Sequence, residues 1–207
     1  MVIIIKTIGI ILRNFEENNK SFIGTRNDLF NVFKNYDVNV IGISINQDIN
    51  KIINIVNVCD GIILSGGDNF VSNDFFLIDY LYKNDIPTLG ICLGMQAMAK
   101  YFSSFDEVNV LNHLSNQKYV HYINILEDSL LYKILNKKRI LVNSRHKSAI
   151  IETKLDVVAR SDDDIIEAVE DNTKIFFLGL EWHPESINDE NSKKIFEYFI
   201  DVINLKQ

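Results

Sequence analysis

Cysteine and proline are almost missing from this chain, which has 207 residues and only 2 of each. Two cysteines cannot build a disulfide framework, so a reducing compartment is the default and a cytoplasmic location is expected. The two prolines, Pro87 and Pro184, leave little to punctuate a domain boundary. With no internal repeat and no low-complexity linker, residues 1–207 are expected to form a single domain. Positive charge is also in short supply. The formal net charge is -7, which argues against non-specific binding to nucleic acid or to an anionic membrane. No run of like charge is long enough to be a tail, and the densest cluster, Asp162-Asp163-Asp164, reads as a turn. Apolar runs of membrane-spanning length are missing as well. The opening MVIIIKTIGIIL is apolar but short, Lys6 interrupts it, and no small-residue cleavage site follows. It reads as a buried first strand rather than a signal peptide.

What is present is an ordinary globular balance, 47% hydrophobic and 24% charged, in a chain long enough to bury a sizeable core. Strands are expected over residues 2–12, 38–43, 61–64 and 87–91, alternating with helices over 25–36, 49–58, 73–83 and 93–102. This alternation predicts a parallel sheet with helices on both faces, and ligands in such sheets sit at the carboxyl ends of the strands. Two glycine-rich turns, Ser65-Gly66-Gly67-Asp68 and Gly90-Ile91-Cys92-Leu93-Gly94, fall at such ends. The second half reads differently. Residues 108–110 and 119–126 look like a pair of strands, 128–135 a short helix, 140–142, 157–160, 165–170 and 175–181 further strands, and 190–204 a final helix.

A strand, then Gly-x-Cys-x-Gly, then a helix, has the form of a nucleophile elbow. Gly90 and Gly94 leave room for the sharp turn, and the helix N-terminus favours a thiolate at Cys92. Taken alone, the pattern also fits a small buried residue in a tight turn. Cys59, in Asn57-Val58-Cys59-Asp60, lacks the glycines and is expected to be inert. A reactive thiol needs a base and a group to orient that base. His183 and Glu185, two residues apart in Glu181-Trp182-His183-Pro184-Glu185 at a strand end, supply that pair. Of the 4 histidines, His113 and His121 lie in the polar middle segment without an obvious partner and are expected to be solvent-exposed or structural. The cysteines and histidines show no zinc-like spacing, so neither a metal nor an organic cofactor is expected.

GICLGMQ and EWHPE together resemble the class I glutamine amidotransferase superfamily over nearly the whole chain. The resemblance implies an α/β fold with a central, mostly parallel sheet flanked by helices, built on a flavodoxin-like core. It implies Cys92 as nucleophile, His183 as general base and then acid, and Glu185 as the orienting carboxylate. It further implies oxyanion donors at the N–H groups of Gly67 and Leu93, and Gln96 as a contact to the glutamyl part of the substrate. The plain alternatives are a tight turn at Gly67 and a helix-surface residue at Gln96.

The segment Asn143-Ser144-Arg145-His146 resembles the Asn-Ser-x-His segment of γ-glutamyl-γ-aminobutyrate hydrolases, which in that branch lies over the glutamyl pocket. Asp163-Asp164-Ile165-Ile166-Glu167-Ala168 resembles their Asp-Gly-x-Ile-Glu-Ala stretch, with Asp164 in place of the usual Gly and Lys147 in place of the usual His or Gln. The opening resembles compact members of surface-polysaccharide pathways, one of which hydrolyses γ-glutamyl-CDP-amidate in capsule phosphoramidate synthesis. That activity would give Arg13 and Arg26 a phosphate-bearing leaving group to hold, against the alternative that both are solvated at element ends. The implied activity is hydrolysis of a γ-glutamyl amide through a γ-glutamyl thioester, on a small-molecule substrate. A glutaminase subunit feeding ammonia to a separate synthase, and a γ-glutamyl-γ-aminobutyrate hydrolase of polyamine breakdown, are the competing readings. A non-enzymatic ligand sensor ranks below them, and a homodimer and a synthase partner both stay open.

Overall fold

The computed structural model describes residues 5–104 and 107–205, so residues 2–4 of the expected first strand lie outside it. In chain order, β1 (Lys6–Glu17) turns into β2 (Lys20–Gly24), and α1 (Asn27–Asn31) leads to β3 (Val38–Ser44). Then come α2 (Ile49–Val56), β4 (Gly61–Leu64), α3 (Ser72–Lys83), β5 (Thr88–Ile91) and α4 (Leu93–Tyr101). The second half supplies β6 (Val108–Asn109), β7 (His121–Ile125), α5 (Leu130–Leu135), β8 (Arg139–Val142), β9 (Ser148–Ala149) and β10 (Asp156–Ser161). It closes with β11 (Ile166–Glu170), β12 (Phe177–Leu180), α6 (Pro184–Ile187) and α7 (Glu190–Leu205).

Strands β3, β1, β4, β5 and β12 lie side by side in parallel, as the alternation of apolar runs predicts. Beyond β12 the sheet continues antiparallel through β11, β10, β7 and β8. The buried runs in β4, β5 and β12 are apolar on both sides because helices cover both faces. One face packs Leu29, Leu131, Ile134, Phe196 and Phe199 from α1, α5 and α7. The other packs Ile52, Val56, Leu77, Leu81, Met95 and Met98 from α2, α3 and α4. Local caps fix two of these helices. Asp48 accepts from the Asn50 N–H at 3.0 Å, and Ser129 accepts from the Tyr132 N–H at 3.0 Å.

Three expectations change. The helix expected over 25–36 is regular only over Asn27–Asn31, and its N-cap is Arg26 rather than Thr25, without a side-chain bond. The strands expected near 108–110 and 119–126 do not pair with each other. β6 pairs with β9, whereas β7 joins β10 and β8 in the main sheet. Third, β1 runs past the sheet as an arm. Its end, Arg13 to Glu17, pairs antiparallel with β2. Asn18 and Asn19 make the turn at φ 52° and 60°, conformations that asparagine tolerates better than most residues. Phe15 and Phe22 stack on this arm with ring centroids 5.4 Å apart, both still substantially exposed.

Candidate active site

The carboxyl ends of two neighbouring strands bring the expected pair together. β5 and β12 are parallel with Ile91 opposite Leu180, so Cys92 and the segment after Leu180 leave the sheet side by side. The Cys92 N–H donates to the Leu180 carbonyl at 2.8 Å, which locks the two exits. Cys92 sits at φ 50° and ψ -111° at the start of α4, the strained geometry of an elbow. The flanking glycines are required by space. A Cβ at Gly94 would stand 2.0 Å from the Leu64 carbonyl oxygen, and one at Gly90 would stand 2.4 Å from the Met98 sulfur.

His183 is the first residue of the turn into α6, and Pro184 starts that helix. Its Nδ1 lies 2.7 Å from Glu185 Oε1. A carboxylate only accepts, so Nδ1 carries the proton and Nε2 is left bare. Asn143 clamps the His183 backbone from both sides, accepting from its N–H at 2.8 Å and donating to its carbonyl at 2.9 Å. A Cβ at Gly66 would meet His183 Cε1 at 2.9 Å and Cys92 Cβ at 3.5 Å, so this glycine lets the two side chains approach one another. Cys92, His183 and Glu185 line one cavity of about 450 Å³, together with Gly66, Gly67 and Asp68.

The electrostatics depart from expectation at the sulfur. Burial pushes the Cys92 thiol well up, the carboxyl of Glu181 adds to the effect, and the Leu93 N–H opposes it. Desolvation therefore outweighs the polarity of the helix terminus and favours the thiol over the thiolate. Cys59, half-buried next to Asp60, is pushed up to about 11 by burial and by that carboxylate, in keeping with an inert residue.

The structure divides the expected substrate-binding residues. Arg13, Arg26 and Arg145 line the cavity. Arg13 is buried rather than solvated. It pairs with Asp74, its Nε donates to the Ser65 carbonyl at 3.2 Å, and its Nη2 has no hydrogen-bond partner. Arg26 is exposed and pairs with Asp28 at 3.2 Å. Arg145 donates to Ser186 Oγ at 2.8 Å, and burial with the nearby charge of Arg26 lowers its pKa. Gln96, Asn143, Ser144 and His146 do not line this cavity and are bonded inside the protein. Gln96 is buried, not a helix-surface residue, and donates to Glu181 Oε1 and to the Ser148 carbonyl. Ser144 donates to the His113 carbonyl at 2.6 Å, and His146 Nδ1 faces the Ser148 carbonyl at 2.9 Å. Gly67 borders the cavity, and a Cβ there would lie 3.0 Å from the side chains of both Arg13 and Leu93.

His113 and His121 do have partners. His113 is buried against His146 and Asp163, and both histidines face the buried Glu167. The sequence reading also missed the β1–β2 arm, whose Asn14, Phe15, Gly24 and Thr25 form one wall of the cavity. The signal was there in Asn18-Asn19 between two segments with aromatic residues.

Comparison with known proteins places this fold among relatives. A family model described as Peptidase C26 matches residues 72–185, which include Cys92, His183 and Glu185. A glutamine-hydrolyzing GMP synthase subunit of Methanothrix thermoacetophila is 30% identical over 146 residues, 70% of this chain and 77% of that protein. Its counterpart from Methanosarcina barkeri is 31% identical over 148 residues, 69% of this chain and 73% of that one. Among solved structures, the glutaminase domain of Trypanosoma brucei CTPS with bound acivicin superposes with a TM-score of 0.75 at 17% identity, covering 98% of this chain and 95% of that chain.

Proposed function

The chain belongs to the Peptidase C26 family, within the class I glutamine amidotransferases, and on that premise we propose that it hydrolyses a γ-glutamyl amide at Cys92. The observation that carries this reading is the bonded His183–Glu185 pair sharing a cavity with a cysteine held at positive φ. The bare Nε2 of His183 takes the thiol proton as Cys92 Sγ attacks the γ-carbonyl carbon. Because burial favours the thiol, proton removal belongs to the attack itself. The N–H groups of Gly67 and Leu93 stabilise the oxyanion, each worth about 3–4 kcal/mol of barrier. As the C–N bond breaks, His183 returns the proton to the leaving amine. Water, deprotonated by the same nitrogen, then cleaves the thioester, releasing glutamate and regenerating the thiol. Glu185 holds the imidazole in the working tautomer, and Asn143 holds its backbone.

For the fate of the amine, the relatives favour a glutaminase component that passes ammonia to a separate synthase, because the matching proteins are named as subunits of glutamine-hydrolyzing GMP synthases. A second reading has its own support. Arg13, Arg26 and Arg145 face one cavity, which suits a substrate with an anionic portion beyond its γ-glutamyl group. γ-Glutamyl-CDP-amidate, with its phosphates, is the member of that class that the sequence suggests, and γ-glutamyl-γ-aminobutyrate is the carboxylate member. The experiment is glutamate release from glutamine and from these two conjugates, with Cys92→Ala as the blank. Release from glutamine that rises when a synthase partner is added supports the ammonia-passing component. Release from one conjugate alone supports a dedicated hydrolase. Release unaffected by Cys92→Ala would sink both.

A further inference from the structure

Three of the 4 histidines converge outside the cavity that holds Cys92. Glu167, the second residue of β11, is fully buried. Its Oε1 lies 3.1 Å from His121 Nε2 and 3.5 Å from His113 Nδ1. Both contacts are buried ion pairs, though their hydrogen-bond alignment is poor. A hydrogen bond requires the N–H to aim at the oxygen. One donor atom from each of His113, His121 and Glu167 lies within 4.8 Å of the other two, close enough to share one ion. Donor atoms around a tetrahedral zinc ion with bonds of about 2.1 Å stand about 3.4 Å apart, and the two distances bracket that value.

The surroundings fix the ring nitrogens. His113 Nε2 lies 3.0 Å from Asp163 Oδ2, and Ser161 Oγ donates to Asp163 Oδ1 at 2.6 Å. A carboxylate behind one imidazole nitrogen, itself hydrogen-bonded, is the outer arrangement that metal-ligating histidines keep. It leaves Nδ1 of His113 facing Glu167. His146 Nδ1 faces the Ser148 carbonyl, which can only accept, so its Nε2 is bare. That bare nitrogen stands 3.1 Å from His113 Nδ1. Two ring lone pairs facing at this distance need a cation between them or a proton on one of them. A surface depression lined by Asn112, His121, Asp162 and Asp163 gives access.

We propose that His113, His121 and Glu167 form a binding site for one divalent cation of zinc's class, with His146 Nε2 turned toward the same point. Two imidazoles and one carboxylate suit zinc and its first-row neighbours better than calcium or magnesium, which prefer all-oxygen shells. The site joins β7, β11 and the segment before β7, and lies outside the cavity that holds Cys92.

The test is zinc counting on the purified full chain after loading and dialysis, repeated with His121→Asn, Glu167→Gln and Cys92→Ala. About one ion per chain is expected in the wild type and in Cys92→Ala, with retention at least tenfold lower in the other two. His121 is only half-buried, so its variant is expected to fold even if Glu167→Gln does not, and a melting curve of the metal-free protein checks this. Absence of stoichiometric zinc overturns the proposal and assigns a proton to the His113–His146 contact. Zinc retained by a folded His121→Asn, or lost in Cys92→Ala, also overturns it.

Discussion

Two histidine–carboxylate assemblies among the described residues are built on opposite principles. In the parallel half, His183 and Glu185 are two residues apart and aim at each other, with Nδ1 2.7 Å from Oε1. The pair is complete in itself and borders the cavity that Cys92 lines. In the antiparallel half, His113, His121 and Glu167 come from separate segments and meet as poorly aligned buried ion pairs. That assembly is incomplete in itself and turns its donors inward. On the two proposals above, the same two residue types serve proton transfer in one place and cation binding in the other. What separates them is direction, since the distances differ by less than 1 Å.

Breaking each assembly should show different losses. Glu185→Gln replaces the carboxylate, which can only accept, with an amide that can also donate to Nδ1 and so no longer fixes the His183 tautomer, and kcat is expected to fall about 10²–10⁴-fold. A rate measurement on the folded variant checks this. Glu167→Gln removes the buried charge that faces both His113 and His121. Breaking a buried pair of this kind costs about 3–5 kcal/mol of stability, to be read from urea unfolding of the metal-free protein. A loss below about 1 kcal/mol would mean that the carboxylate charge is not needed there.

A neighbouring carboxyl sharpens the contrast. Burial and the charge of Glu167 hold Glu181 well above the ordinary carboxylate range, with the Gln96 amide opposing. Its folded form keeps a proton that the unfolded chain releases, so it withdraws stability as pH rises beyond the ordinary glutamate value. Glu181→Gln, a neutral mimic, should therefore cost less than about 1 kcal/mol at low pH and gain on the wild type as pH rises. Unfolding midpoints across pH decide it, and a variant that fails to gain on the wild type with rising pH would contradict the assignment. The smallest effect concerns Cys92. Burial and Glu181 raise its thiol, so its alkylation by iodoacetamide should be slow at neutral pH and rise about tenfold per pH unit. A rate independent of pH from about 6 to 8 would show a standing thiolate instead.

The two halves also differ in how far the sequence reveals them. The elbow and the His-Pro-Glu turn are local, because each role falls within a few residues and the strand ends place them. The parallel core follows from apolar runs that need cover on both faces. The acidic turn and the histidines of the antiparallel half say little until β10 is known to pair with both β7 and β11. Gln96 and Asn143 have the residue types of ligand contacts, yet their amides are taken up by Glu181 and by the His183 backbone. Spacing along the chain does not show which polar groups the fold will use internally. The helix expected over 25–36 fails for a related reason, since its apolar spacing persists while regular structure ends at Asn31.

The β1–β2 arm gives the cavity two kinds of wall. One is the sheet edge with Cys92 and His183, held by the core. The other, with Phe15 and Arg26 near its ends, is a ribbon whose strands pair mainly with each other beyond the sheet. Two-stranded ribbons are marginally stable by themselves. Cys92 and His183 are therefore held by the fold's core, while the shape of the space in front of them is set largely by the arm beyond Arg13, about a dozen residues.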